Sequence, residues 1–154
     1  MAKKYSFEEL LQKMATYCSV SERCISEVDE KLQKLEVTDT DRKKIIKQLV
    51  KNDFINEQRY AQAFAKDKFR FNKWGKMKIS FALKGKGIDS EQISNALALI
   101  DEGEYEEMLS SILKTKLAGL KYNSEYEKRG KLFRFAQSRG FESNAIQKSL
   151  NFTL

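Results

Sequence analysis

The chain has 154 residues, with 29 basic and 22 acidic side chains, a formal charge of +7, seven glycines, no proline and no histidine. Average usage of roughly 5% would put about eight prolines in such a chain. Proline breaks helix interiors and central strands alike, so its absence suits a chain made mostly of helices. The lack of histidine removes the commonest general base and the commonest metal ligand. No phosphate-cradling glycine loop, nucleophile elbow or zincin motif occurs, so the expectation is a binding protein with no catalytic residue, no cofactor and no metal.

In chain order, Met1 to Ser6 carry no apolar run like a leader's, and no stretch near 18 apolar residues follows; the expected setting is soluble and cytoplasmic. The first helices are predicted at 7–18, 21–35 and 39–52, with Ser19-Val20-Ser21-Glu22 as a capping box for the second. Cys18 and Cys24 are expected to be free, buried or half-buried thiols. The next helices are predicted at 57–73, 75–85 and 90–101. On a wheel of about 100° per residue, Tyr60, Phe64 and Phe71 form the buried face of the 57–73 helix. Arg59, Lys66, Arg70 and Lys73 lie opposite. Phe69 and Trp74 lie off the core face, placed to join a neighbouring helix, stack on bases or meet a protein partner. Lys84-Gly85-Lys86-Gly87 reads as a glycine-capped helix end. The last helices are predicted at 104–118, 123–138 and 143–152, with the carboxylates of Asp101, Glu102, Glu104, Glu106 and Glu107 at the positive end of the first of them. No alternating pattern suggests a strand.

Three weak copies of one unit are visible. Ile79, Leu83, Lys86, Gly87, Ile88, Ile93 and Leu97 recur 53 residues later as Leu132, Ala136, Arg139, Gly140, Phe141, Ile146 and Leu150. Val28, Leu32 and Val37 precede Ile79, Leu83 and Ile88 by 51. Matching Ile45 and Leu49 to Ile93 and Leu97 then needs about three extra residues in the first copy. That copy has Glu36 where the others have glycine, so a different turn is expected there. The predicted architecture is all-α: three tandem three-helix repeats, at 1–54, 55–102 and 103–154, in an elongated, curved array.

The charge is concentrated. Between Arg59 and Lys86 stand nine basic residues (Arg59, Lys66, Lys68, Arg70, Lys73, Lys76, Lys78, Lys84 and Lys86) against Asp67 alone, a net of +8, which leaves the remainder at 20 − 21 = −1. A basic excess this local is the electrostatic footprint of an anionic partner, where one spread along the chain would serve solubility. These nine residues and Trp74 are the candidate partner- or DNA-binding set.

The junction of copies one and two reads Leu49-Val50-Lys51-Asn52-Asp53-Phe54-Ile55-Asn56-Glu57-Gln58-Arg59-Tyr60-Ala61, followed by Phe64-Ala65, Lys68, Arg70, Trp74-Gly75-Lys76-Met77-Lys78-Ile79 and Leu83-Lys84-Gly85-Lys86-Gly87-Ile88. This ordered set, together with the repeat length and number, resembles the RecX family of bacterial regulatory proteins over essentially the whole chain. Asn56-Glu57 stands where the family usually has two aspartates, and Asp53 replaces the usual turn glycine, which requires a left-handed Asp53. Lys76-Met77 replaces a small-residue or proline step. The resemblance implies a modulator of RecA, the recombinase that forms helical filaments on single-stranded DNA. It would inhibit ATP hydrolysis, strand exchange and co-protease action from the filament groove or its growing end. The implied partners are the RecA filament and single-stranded or double-stranded DNA, with no membrane partner and a monomeric chain. The alternative is a stand-alone DNA-binding repeat protein without a recombinase partner.

Overall fold

The computed structural model describes residues 4–153; Met1, Ala2 and Lys3, part of the stretch read above for a leader, and Leu154 lie outside the described residues. Among the described residues the chain forms nine helices and no strand. They are α1 (Phe7–Val20), α2 (Ile25–Lys34), α3 (Asp39–Lys51), α4 (Glu57–Arg70), α5 (Lys76–Gly85), α6 (Ser90–Ala98), α7 (Glu102–Ala118), α8 (Glu125–Ser138) and α9 (Ser143–Thr153). Side-chain oxygens start most of them: Ser6, Thr38, Asn56, Asp89, Asp101 and Ser124 each accept from the backbone N–H three residues on. That bond satisfies one of the donors a helix start leaves open.

The second helix starts later than its expected capping box. α1 continues through Val20, and α2 is capped by Cys24, whose N–H donates to Glu27 Oε1 at 3.2 Å. Ser19 turns its hydroxyl back onto the Ala15 carbonyl instead. Cys24 is fully buried at this start. Both cysteines are free, as expected, and burial pushes both thiols up in pKa, which lowers their thiolate fraction and reactivity.

Each middle helix ends alike. The N–H of Val37, Ile88 and Phe141 donates to the carbonyl of Leu32, Leu83 and Ala136, and the residue before each of these donors is left-handed: Glu36 at φ 60°, Gly87 at 81°, Gly140 at 94°. The turn of the first copy is therefore the same turn, built with glutamate. Asp53, at φ 62°, is left-handed as its place in the motif requires. Lys73, at φ 59°, closes α4 three residues earlier than expected. The buried face of α4 is also turned from the expected one: Phe69 continues the row of Ala61 and Ala65 and is 3% exposed, while Phe71, still helical in its dihedrals at the C-cap, is 80% exposed.

Extensive helix–helix contact stays within successive triplets: α3 holds α1 and α2, α6 packs on α4 and α5, and α9 packs on α7 and α8. The first triplet needs no extra residues to match the second. Cys24, Val28, Leu32, Val37, Thr38, Ile45 and Leu49 each precede Gly75, Ile79, Leu83, Ile88, Asp89, Ala96 and Ile100 by 51, and the buried members coincide except for half-buried Val37. Ile45 thus corresponds to Ala96, and Ile93 corresponds to Arg42. The Arg42 guanidinium reaches Asp29 at 2.9 Å and the Val37 carbonyl at 2.8 Å.

Buried side chains form two clusters, one confined to the first triplet and its exit (Leu10 to Ile55) and one shared by the second and third together with Cys24 of the first. The accessible surface is 9847 Å² for 17.9 kDa, where a compact monomer of that mass exposes about 8,000 Å². The excess fits an extended row of repeats with little contact between triplets.

The second and third triplets meet through backbone. Gly75 N–H donates to the Arg139 carbonyl at 2.7 Å, and Met77 N–H to the Gly140 carbonyl at 2.9 Å. A methyl on Gly75 would overlap the Gly140 carbonyl, and one on Gly140 would lie 2.6 Å from Lys78 N. Gly75→Ala and Gly140→Ala should each cost about 2–4 kcal/mol in urea or thermal unfolding, from overpacking plus backbone strain. Gly85, with open space around its Cα, should gain up to about 1 kcal/mol as alanine.

Candidate partner interface of the middle triplet

The basic segment spans α4, the turn at Lys73 and α5, and the fold sorts its cations into three groups. Arg59, Lys76 and Lys86 are occupied between triplets. The Arg59 guanidinium pairs with the Glu22 carboxylate and donates to Asp53 Oδ2 at 3.1 Å and to the Asp53 carbonyl at 3.0 Å. Lys86 Nζ lies 3.4 Å from Glu27, and Lys76 Nζ lies 2.9 Å from Glu102. These part-exposed pairs are individually worth little, but each joins a middle-triplet cation to a carboxylate outside the expected basic segment.

Lys68 and Lys78 form the second group. They stand 5.0 and 4.7 Å from the Trp74 ring centroid, and Trp74 in turn meets Phe64 edge-on at 6.4 Å. Trp74 therefore joins the neighbouring α4 and carries two ammonium groups, each held by cation–π attraction of roughly 0.5–1 kcal/mol at such sites.

The remaining cations face solvent. Lys66, Lys73 and Lys84 are exposed and have no carboxylate within 4.0 Å among the described residues, and Arg70 reaches Glu104 only at 3.8 Å. Arg59, Lys66 and Arg70 line a hollow of about 580 Å³ with Ala96, Leu99 and Ile100 on its apolar side and Asp67, Asp101 and Glu104 among its walls. Lys73 lines a different hollow, so the stripe of Arg59, Lys66, Arg70 and Lys73 is divided. The acidic start of α7 abuts its middle. That start is a helix N-terminus, as expected, capped by Asp101. Among the described residues no cluster of three or more His, Cys, Asp or Glu could hold a metal ion, and no helix is long and apolar enough to cross a membrane.

Residues 56–97 match the family description RecX, second three-helix domain, and residues 104–150 match RecX, third three-helix domain. The chain belongs to the RecX family. Among curated relatives, the regulatory protein RecX of Clostridium beijerinckii is 34% identical over 124 residues, covering 79% of this chain and 57% of that protein. The regulatory protein RecX of Oceanobacillus iheyensis is 26% identical over 130 residues, covering 84% and 48%. The chain thus spans about half the length of these RecX relatives. Among solved structures, RecX from Lactobacillus salivarius superposes with a TM-score of 0.86 at 22% identity over 96% of both chains. A second RecX crystal structure gives 0.86 at 19% identity over 94% of this chain and 71% of that one. At such identities the likeness speaks to the RecX fold: all-α, with tandem three-helix domains.

Composition and wheel left Tyr105 unnoticed, although it joins the triplets where Lys76 does. Its hydroxyl accepts from Lys76 N–H at 2.9 Å and donates to the Glu142 carboxylate. Burial, then the bond to Glu142, pushes its pKa far above the ordinary tyrosine value of 10. The neutral form is the folded form, so its contribution is complete below about pH 10 and is lost as pH rises above it, where the unfolded chain releases the proton. Tyr105→Phe should lower stability at neutral pH by about 1–2 kcal/mol. It should also flatten the alkaline fall in stability, read by urea titrations between about pH 8 and 11.

Proposed function

We propose that this chain is a regulatory protein that binds a RecA recombinase on its DNA filament and restrains ATP hydrolysis, strand exchange and co-protease action, as a monomer in the cytoplasm. Membership of a family whose curated members are named regulatory protein RecX supports the regulatory reading. The single observation that carries the contact is the uncompensated charge of the middle triplet: Lys66, Lys73, Lys84 and weakly paired Arg70 point outward. Lys68, Trp74 and Lys78 are the next candidates, as an apolar anchor flanked by two cations. Arg59, Lys76 and Lys86 stay in the proposed set, with part of their charge already spent on Glu22, Glu102 and Glu27. The proposed units of the array are the segments 1–54, 55–102 and 103–154, with the middle one bearing the contact.

The test is ATP hydrolysis by RecA on single-stranded DNA with increasing amounts of this protein. Inhibition at stoichiometric or lower amounts is expected, with Lys66→Glu combined with Arg70→Glu raising the required concentration by about tenfold or more. If the doubly reversed variant melts like the wild type and inhibits equally, α4 presents only a solvated face. Failure to inhibit, with duplex affinity that falls at a log–log salt slope near −5 for about six phosphate contacts, would favour the stand-alone DNA-binding reading.

A further inference from the structure

The hollow that Lys73 lines, about 400 Å³, opens where the turn after α4 meets the C-terminal ends of α7 and α8. Lys73, Lys116 and Arg139 border it, with Ile112, Thr115 and Phe135 among the lining, and it contains no carboxylate. Lys116 Nζ and Arg139 Cζ rest 5.1 and 5.0 Å from the Phe135 ring centroid. None of the three cations has a carboxylate within 4.0 Å among the described residues.

The other junction shows that this lack is specific. Lys86 occupies the place of Arg139 one repeat earlier, and Glu27 the place of Lys78. There the Lys86–Glu27 pair neutralises the turn. At the later junction the acidic partner has become Lys78, and Arg139 is left with only the ring beneath it. Balancing helix dipoles does not account for the excess: the ends of α4, α7 and α8 supply roughly half a negative charge each, about 1.5 in all, against three full positive charges.

We propose that this groove binds a single strand of nucleic acid, its phosphates on Lys73, Lys116 and Arg139 and a base stacked on Phe135. Cationic heads parked on an aromatic face are held weakly, so they swing to phosphates and free the ring for a base, the pairing that tracks single strands without reading sequence. A duplex keeps its bases stacked inside and gives Phe135 nothing to hold; an acidic protein surface needs the cations and has no use for the ring. The inference extends the filament reading to residues of the third triplet, and its test contains no recombinase, so either can fail alone.

The experiment is fluorescence anisotropy of a labelled oligothymidylate of about 15 nucleotides with the full chain, titrated over a range of salt. Binding that weakens with salt is expected. Lys116→Glu with Arg139→Glu should lower affinity at least about tenfold and flatten the log–log slope by about 1.4, two contacts at roughly 0.7 each for a single strand. Phe135→Leu should leave the slope in place, weaken binding by about fivefold and erase the preference for single strand over duplex. Thermal melts confirm folding, and Lys116→Ala with Arg139→Ala replaces the reversed pair if that pair melts early. Unchanged affinity in a folded double variant overturns the proposal. So does equal competition by polyglutamate and duplex DNA with no effect of Phe135→Leu, which would mark a general polyanion surface.

Discussion

The starts of the first two middle helices, α2 and α5, each rest on the turn that ends the next middle helix, and the array depends on that contact. Arg139 offers its carbonyl to Gly75 N–H, and Lys86 offers its carbonyl to the Ser26 hydroxyl at 2.8 Å. An aromatic hydroxyl from the following triplet supports each start: Tyr105 beside Lys76, and Tyr60 beside Cys24 and Glu27, with burial pushing both tyrosines up in pKa. These contacts join backbone polar groups that helix ends leave open, so satisfying them and setting the relative position of two triplets are one event. Two glycines at the later junction allow an approach that any side chain would prevent. The earlier junction has Cys24 in the place of Gly75, and there the contact to the turn runs through the Ser26 side chain.

Charge follows the same architecture. A cation at a junction either meets a carboxylate of the adjoining triplet, as at Glu22, Glu27 and Glu102, or has none. Where it has one, the pair positions a repeat; where it has none, the charge is open to a partner. Counting lysines along the segment merges the three groups that the fold separates, and it omits Lys116 and Arg139, which reach the junction from the third triplet.

Much of the fold is legible in the sequence because amphipathic rows and cap residues are local signals. The row of Val28 and Leu32, the cap at Asp89 and the glycine after Lys86 all act within a turn or two of the chain. What is not legible depends on which face of a helix meets its neighbours. A wheel centred on Phe64 puts Phe71 inside, whereas the buried row of α4 is Ala61, Ala65 and Phe69. The first copy's register was hidden because Ala96 is a weaker apolar mark than Ile93, and because Arg42 stands where an isoleucine was sought. The junction partners were not legible, since Glu22 and Arg59 are 37 residues apart and no periodicity links them. Glu142 would have been findable from one signal, an acidic residue directly after the Gly140-Phe141 turn.

The division of the interior into two clusters carries a kinetic consequence. Cys18 lies in the cluster of the first triplet, whereas Cys24, six positions later, lies in the cluster of the other two. Each interior therefore holds one native thiol, shielded until that interior opens. The rate at which a thiol reagent captures each cysteine is a separate clock for each, with no label introduced: one times the loosening of the first triplet, the other its parting from the rest of the row.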